Sequence, residues 1–471
     1  MISEYVEATS SPAEQGKEQS GNEDPTVAAV APVSSEERIS SVDALRGVGV
    51  LGILLMNIQN FGLPFAAYMN PTAHGGDSGL NLAYWFANQI FFEGKMRTIF
   101  SMLFGAGVVL MTVRAEERGG GISVADIYYR RTLWLILFGA LHAYFIWFGD
   151  ILYVYGLIGL ALFPLRKARP KFLLIAGVLL LLVTPVKAFF EMRSDIKLRD
   201  RGVAAARAEA AGQQLTDEQK ADKKNWEEKE KQLKPDPARI KEDIDRQRGG
   251  YWSAFVWRAG LVAEIESSIT YRYLLYDVGG MMLIGMALMM TGVFSAKRSN
   301  RFYLGLVLLG YVLGASINAL AAWYLRKGQY VSLEAILAMR TVYDIGRLTV
   351  ALGHVSLLML IIKGGWLRWL TSRLAAAGQM ALTNYLITSV ICTLFFNGYG
   401  LGMFGRLQRY QLLYVVFGVW LAILIWSPIW LRHFRFGPME WVWRSLTRWE
   451  KQPMKLKKII EAPQPQTAAA G

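Results

Sequence analysis

The chain has 471 residues, a formal net charge of +14 and 53% hydrophobic residues. That hydropathy excludes a nucleic-acid partner as the reason for the basic balance, which basic inner loops attracted to anionic lipid account for. The single cysteine, Cys392, excludes an internal disulfide.

Residues 1–37 are rich in Ser, Glu, Ala and Pro and lack an apolar run, so they predict a disordered cytoplasmic tail and no cleaved signal peptide. Apolar stretches of about 18 residues or more then recur, long enough to cross a bilayer. Ten spans are predicted, at 43–63, 96–114, 129–148, 150–165, 171–191, 273–295, 302–325, 342–362, 377–397 and 411–431. The fold class is therefore all-α, a polytopic membrane helix bundle. Its N-terminal half is 38–192 and its C-terminal half 251–450. Spans 129–148 and 150–165 nearly abut, and Gly149-Asp150 reads as a tight outward turn.

Lysine and arginine set the orientation. Arg114, Arg118, Arg130 and Arg131, then Arg166 and Lys167, then Lys297 and Arg298, then Lys363 and Arg368, and finally Arg432 and Arg435 all fall on one side. That side is cytoplasmic, and both termini lie there. Residues 193–250 break the apolar pattern with mixed charge and one Pro235-Asp236-Pro237 interruption, which reads as a charged helical extracytoplasmic insert. It suits a plain insertion better than a partner-binding arm. The segment 251–272 is amphipathic and aromatic and suits the outer interface. Residues 451–471 form a basic, then disordered, tail.

Polar residues inside spans are costly and should face protein, water or substrate. Asp43 and Arg46 are three apart on one helical face, and Asn57 lies about three turns and roughly 16 Å deeper. His142 sits eleven residues beyond Arg131, again on one face, with Asp150 closing the segment. Asp344, Arg347 and His354 share a face in span eight, and Asn384 lies in span nine. Each also has a plainer reading: a cap and anchor for Asp43 and Arg46, helix–helix glue for the asparagines, packing for the histidines. The four histidines are too scattered for a metal site, and no phosphate-binding Gly-Lys-Ser/Thr loop or Gly-x-Ser-x-Gly elbow is present.

Four stretches carry a resemblance: Arg38 to Pro64 around Val42-Asp43-Ala44-Leu45-Arg46-Gly47, Gly94 to Gly107, Leu141 to Leu152, and Gly378-Gln379-Met380-Ala381-Leu382-Thr383-Asn384-Tyr385 on to Phe436-Gly437-Pro438-Met439-Glu440. They resemble the YeiB-like family of bacterial multi-spanning proteins, a domain of unknown function numbered 418. The first-span string is also similar to type-three membrane acyltransferases and to the heparan-alpha-glucosaminide N-acetyltransferase group. Those proteins carry an acyl group from cytoplasmic acyl-coenzyme A to a sugar across the membrane. In type-three enzymes a histidine stands fourteen residues after the aspartate; here that position is Asn57, which cannot be a base.

Two classes of function follow. As an acyltransferase-like enzyme of the bacterial inner membrane, the chain would use acyl-CoA as donor and an envelope glycan or lipid as acceptor. Asp43, Arg46, Arg97, Arg130 and Arg131 would form the coenzyme-binding set, the arginines holding its phosphates. His142 would be the base with Asp150 behind it, and Asn57 or Asn384 would steady the oxyanion. As a solute transporter or lipid flippase, the same intramembrane polar groups would line a pathway.

Overall fold

The computed structural model describes residues 40–456. The tail expected at 1–37, and residues 457–471 of the tail expected at 451–471, lie outside the described residues. Among those described there is no strand; one isolated bridge pairs Phe434 with Lys455.

Helix α1, Ser40–Gly62, is the most enclosed span, with 83% of its apolar window buried inside the protein. A short turn of helix, α2 (Phe65–Met69), leads to α3 (Gly79–Ala87). A π turn, Asn88–Phe92, joins α3 to α4 (Lys95–Glu117). Gly94 at this joint has φ +74, and a Cβ there would lie 2.3 Å from the Tyr343 hydroxyl, so both backbone and space require glycine.

Helix α5 (Ser123–Phe145) turns back through α6 (Leu152–Leu162). Eleven residues rise only about 16 Å, roughly half the apolar thickness of a bilayer. The pair is therefore a hairpin that returns to the end where it began: Arg166, just after α6, bonds Glu116 at the end of α4 at 2.7 Å. Its tip is enclosed in protein, with Trp147 and Phe148 buried.

Helix α7 (Pro170–Ala210) opens on proline, where the missing N–H costs nothing, and its 41 residues run about 60 Å, well beyond a bilayer. Its leucine-rich flank, including Phe172, Leu179 and Phe190, is exposed as lipid-facing residues are. Beyond it, α8 (Asp217–Leu233) starts on a Thr216–Gln219 capping box and ties back through Lys229–Asp195 at 2.9 Å. Helix α9 (Pro237–Arg248) returns to the bundle.

The aromatic segment expected to lie flat instead forms α10 (Tyr251–Glu264), which runs through a π stretch into α11 (Leu275–Met290) as one 40-residue span. Helices α12 (Asn300–Leu308) and α13 (Ala315–Lys327) likewise join through a π turn, and α14 is Leu333–Lys363. Span nine is broken: α15 (Arg368–Gln379) and α16 (Ala381–Phe396) meet at 85°. Gly378 makes the break fit, since a Cβ there would sit 1.9 Å from the Asp43 carbonyl oxygen of α1. Helix α17 (Leu412–Leu431) and the amphipathic α18 (Pro438–Arg448) complete the described chain.

Among the described residues, seven helices are long and apolar enough to cross a membrane, or up to eight counting the bent pair as one span. The sequence reading of ten counted the two limbs of the α5–α6 hairpin as spans. The end where Arg114, Arg118, Arg131, Arg444 and Arg448 gather, with Arg166 bonded to Glu116 beside them, is called the basic end below.

Candidate functional site

A cavity of about 350 Å³ lies at the basic end, between α1, α4, α5, α16 and α18. Six arginines line it: Arg46, Arg114, Arg118, Arg131, Arg444 and Arg448. Deeper, its wall is apolar, with Leu103, Phe104, Leu135 and Leu152, and it also includes Tyr155 and Tyr385.

The arginine rim is positioned by specific contacts. Arg46 pairs with Asp43 at 2.9 Å, as the three-residue spacing predicts. Arg131 stacks 3.9 Å over the Trp443 ring, while its carbonyl accepts from Trp443 Nε1 at 2.9 Å. These two contacts fasten α18 across the cavity mouth. Glu440 of α18 holds the other side: its carboxylate accepts from Leu382 N at 2.7 Å and Thr383 N at 3.1 Å, and bonds the Thr383 hydroxyl. It thereby supplies the negative charge that the N-terminus of α16 favours. Burial pushes the Glu440 carboxyl above its usual range, against the lowering pull of those donors.

Beyond the cavity wall stands the histidine. His142 is 1% exposed, and its Nδ1 lies 2.9 Å from Asp150 Oδ1. Asp150 is fixed in turn, since its Oδ2 accepts from Tyr153 N at 2.8 Å. The Tyr385 hydroxyl donates to Asp150 Oδ1 at 3.5 Å, and its ring centroid is 5.0 Å from that of His142. His142 Nε2 is buried without a hydrogen-bond partner.

The structure thus brings Asp43, Arg46 and Arg131 to one cavity and sets His142 and Asp150 behind its wall. Four other residues of the expected set lie elsewhere. Arg130 pairs with Asp126 at the surface, with Nε 2.8 Å from Oδ1. Arg97 turns the other way, to Asp277 at 2.9 Å. Asn384 binds the helix break: its amide donates to Ala377 O at 2.9 Å and Ser427 Oγ at 3.1 Å, and accepts from Trp426 Nε1 at 3.0 Å. Asn57 is half-buried on α1 and does not line the cavity.

A second buried polar cluster surrounds Arg97. Asp277 also binds Arg347, which bonds Asp344 through Nε at 2.9 Å. Nearby, the buried Lys95 ammonium donates to Asn318 Oδ1 at 2.8 Å, and Glu93 accepts from Tyr68 and Tyr343. His354, between Tyr311 at 2.7 Å and the Phe91 carbonyl at 2.8 Å, uses both ring nitrogens. Tyr155 joins the two regions: it lines the cavity, and its hydroxyl lies 2.6 Å from Ser101 Oγ.

Sequence reasoning passed over Tyr385 and Glu440, although both stood in the stretches that carried the resemblance. Arg114 and Arg118 were read as topological charge. Asp277 and Lys95 gave no signal. Among the described residues, no group of three or more His, Cys, Asp or Glu could hold a metal ion.

Fold and site together define an all-α, multi-spanning membrane protein with an arginine-lined cavity at one end. A family model described as "Protein of unknown function (DUF418)" matches residues 288–450. The chain is 34% identical to the uncharacterized protein YeiB of Escherichia coli (strain K12), covering 87% of this chain and 96% of that protein. It is 28% identical to the uncharacterized protein YxaH of Bacillus subtilis (strain 168), covering 91% and 99% respectively. The chain belongs to the YeiB-like DUF418 family. No solved structure matches it.

Proposed function

We propose that the protein is a membrane acyltransferase, taking an acyl group from acyl-coenzyme A at the basic end and passing it to an envelope sugar or lipid from the opposite side. The observation that carries this reading is the His142–Asp150 pair, buried directly behind Tyr385 in the wall of an arginine-rimmed cavity.

Arg46 and Arg131, with the other rim arginines, bind the coenzyme phosphates, for which forked guanidinium donors are suited. The apolar depth takes the acyl arm. With Nδ1–H donated to Asp150, His142 Nε2 holds the lone pair and removes the proton of an acceptor hydroxyl or amine. The acceptor atom bonds the thioester carbonyl carbon, the carbon–sulfur bond breaks, and the proton passes to the leaving thiolate. The Tyr385 hydroxyl takes the oxyanion role first considered for Asn57 or Asn384, because it alone of the three lines the cavity. On this reading the protein lies in the bacterial cytoplasmic membrane with both termini inside.

Release of coenzyme A thiol by the reconstituted full chain tests the reading, with acetyl- and longer acyl-coenzyme A as donors. Release dependent on an added acceptor supports it; release equal to that of His142→Ala counts against it. The Arg97–Asp277–Arg347–Asp344 cluster favours a second reading, a transporter or flippase, which counterflow of labelled solute without covalent change would support.

A further inference from the structure

The charged cluster around Arg97 contains two kinds of group. Asp277 binds both Arg97 and Arg347, and Arg347 also holds Asp344, so these four lock one another. Glu93 and Lys95, on either side of Gly94, stand apart. Among the described residues, neither makes an ion pair. The Glu93 carboxylate accepts only from the phenols of Tyr68 and Tyr343. Lys95 is 1% exposed and donates to Gln89 O and to Asn318 Oδ1, both neutral.

That difference decides what each group can do. A charge inside a buried ion pair is held in its charged form, because losing it strands the partner in a low dielectric. An amine needs two N–H groups for the two bonds Lys95 makes, so it keeps both after giving up a proton. A carboxyl held by phenols likewise keeps acceptor capacity when protonated. Glu93 and Lys95 can therefore gain and lose protons without breaking an ion pair, and ionisable groups of this kind inside spans serve as proton relays.

Polar groups lead away from them in both directions. Asn88, just before Gln89, is 1% exposed, and neither atom of its amide has a partner. Trp85, three residues earlier and so on the same face, has a buried, unpartnered Nε1. Its ring centroid is 5.2 Å from that of Tyr330, whose hydroxyl is also buried and unmet, in the turn before α14. Buried polar atoms that protein leaves unmet are the ones water bonds. On the other side, Arg347 lies over the Tyr343 ring, 5.0 Å from its centroid. The Arg97 side chain is 26% exposed, so water reaches the cluster. Ser101 Oγ donates to Arg97 O at 2.9 Å and lies 2.6 Å from the hydroxyl of Tyr155, which lines the cavity. Along α4, Arg97 stands roughly 26 Å from Arg114 at the basic end, close to the apolar thickness of a bilayer.

We propose that Glu93 and Lys95 are the exchanging groups of a proton pathway through the bundle. A proton from the end opposite the arginines reaches the Lys95 amine past Tyr330, Trp85 and Asn88. It passes from the ammonium to the Glu93 carboxylate, then leaves for the cavity by way of Tyr343, Ser101 and Tyr155. Each group returns to its starting form, so nothing is consumed. None of the residues given a part in acyl transfer lies on this path.

The test uses the full chain in sealed vesicles of phosphatidylethanolamine and phosphatidylglycerol that trap a pH-sensitive dye. A potassium diffusion potential, negative inside, drives protons inward. Uptake should run about tenfold faster than in protein-free vesicles. Glu93→Gln, which keeps the shape and an acceptor for the phenols, should return it to the protein-free rate, as should Lys95→Met. Asn88→Leu and Tyr155→Phe, one on each side of the pair, should slow it severalfold. Wild-type uptake no faster than in protein-free vesicles would overturn the proposal, as would either Glu93→Gln or Lys95→Met conducting at the wild-type rate. Thermal unfolding in detergent shows which variants assemble, and Glu93→Gln carries the test should Lys95→Met fail to. Proton flux without thiol release leaves this pathway standing and removes the acyltransferase reading. Thiol release without flux does the reverse.

Discussion

Tyr385 and His142 face each other across the cavity wall, ring centroids 5.0 Å apart, and both reach the same oxygen of Asp150. A group in the cavity can therefore be reached through Tyr385 without opening the bundle. Tyr385→Phe keeps the ring and removes the hydroxyl. Acyl transfer should fall about a hundredfold in kcat with KM for the donor nearly unchanged, as expected when one oxyanion donor is lost. Steady-state thiol release measures both constants.

Neighbouring arginines should behave differently. Arg131 lines the cavity, whereas Arg130 is held by Asp126 outside it. Arg131→Ala should raise KM for acyl-coenzyme A by about tenfold or more, the scale of one charge-assisted hydrogen bond. Arg130→Ala should leave KM within about twofold. Equal effects would mean that net charge, and not this cavity, binds the donor.

Glu440 caps α16 from α18 with three hydrogen bonds. Glu440→Ala should cost about 1–2 kcal/mol, as the loss of a helix N-terminal acceptor does, and lower the Tm in detergent. Glu440→Gln keeps an acceptor and removes a carboxyl whose charged form burial disfavours. It should lose less than the alanine variant.

Docking of α9 should depend on pH. Burial pushes the Asp243 carboxyl up from 3.8 to about 6, with the Phe65 N–H and Gln247 pulling against it. A raised carboxyl favours the docked form when protonated. Docking is therefore strongest below about pH 4 and weakens as pH rises through 6, by about tenfold to a hundredfold at neutrality. Hydrogen exchange across residues 237–248, corrected for intrinsic rates, should show more protection at about pH 5 than at about pH 7.5. Asp243→Asn should flatten that difference.

The helical class and basic-end pattern were legible because apolar length and positive charge are written directly in the chain. Hairpin α5–α6 was not, because sequence cannot distinguish a Gly149-Asp150 turn facing water from one enclosed by Arg258 and Trp147. The pairing of His142 with Asp150, eight residues apart across that turn, was expected, and the two side chains lie 2.9 Å apart. Arg97 was misjudged because its choice lay with Asp277, far along the chain, and no spacing rule connects them. Asn384 and Tyr385 illustrate the limit of helix-face reasoning. One residue rotates the side chain by about 100°, so Tyr385 reaches the cavity wall while Asn384 turns to the α15–α16 break.

The most direct measurement is mass spectrometry of envelope lipids and glycans from a strain lacking this protein, complemented with the wild type or with His142→Ala. The account predicts an acyl-sized mass increment on a sugar or lipid that appears with the wild type and is absent with His142→Ala. An envelope identical in all three strains, or an increment that His142→Ala restores in full, would contradict it.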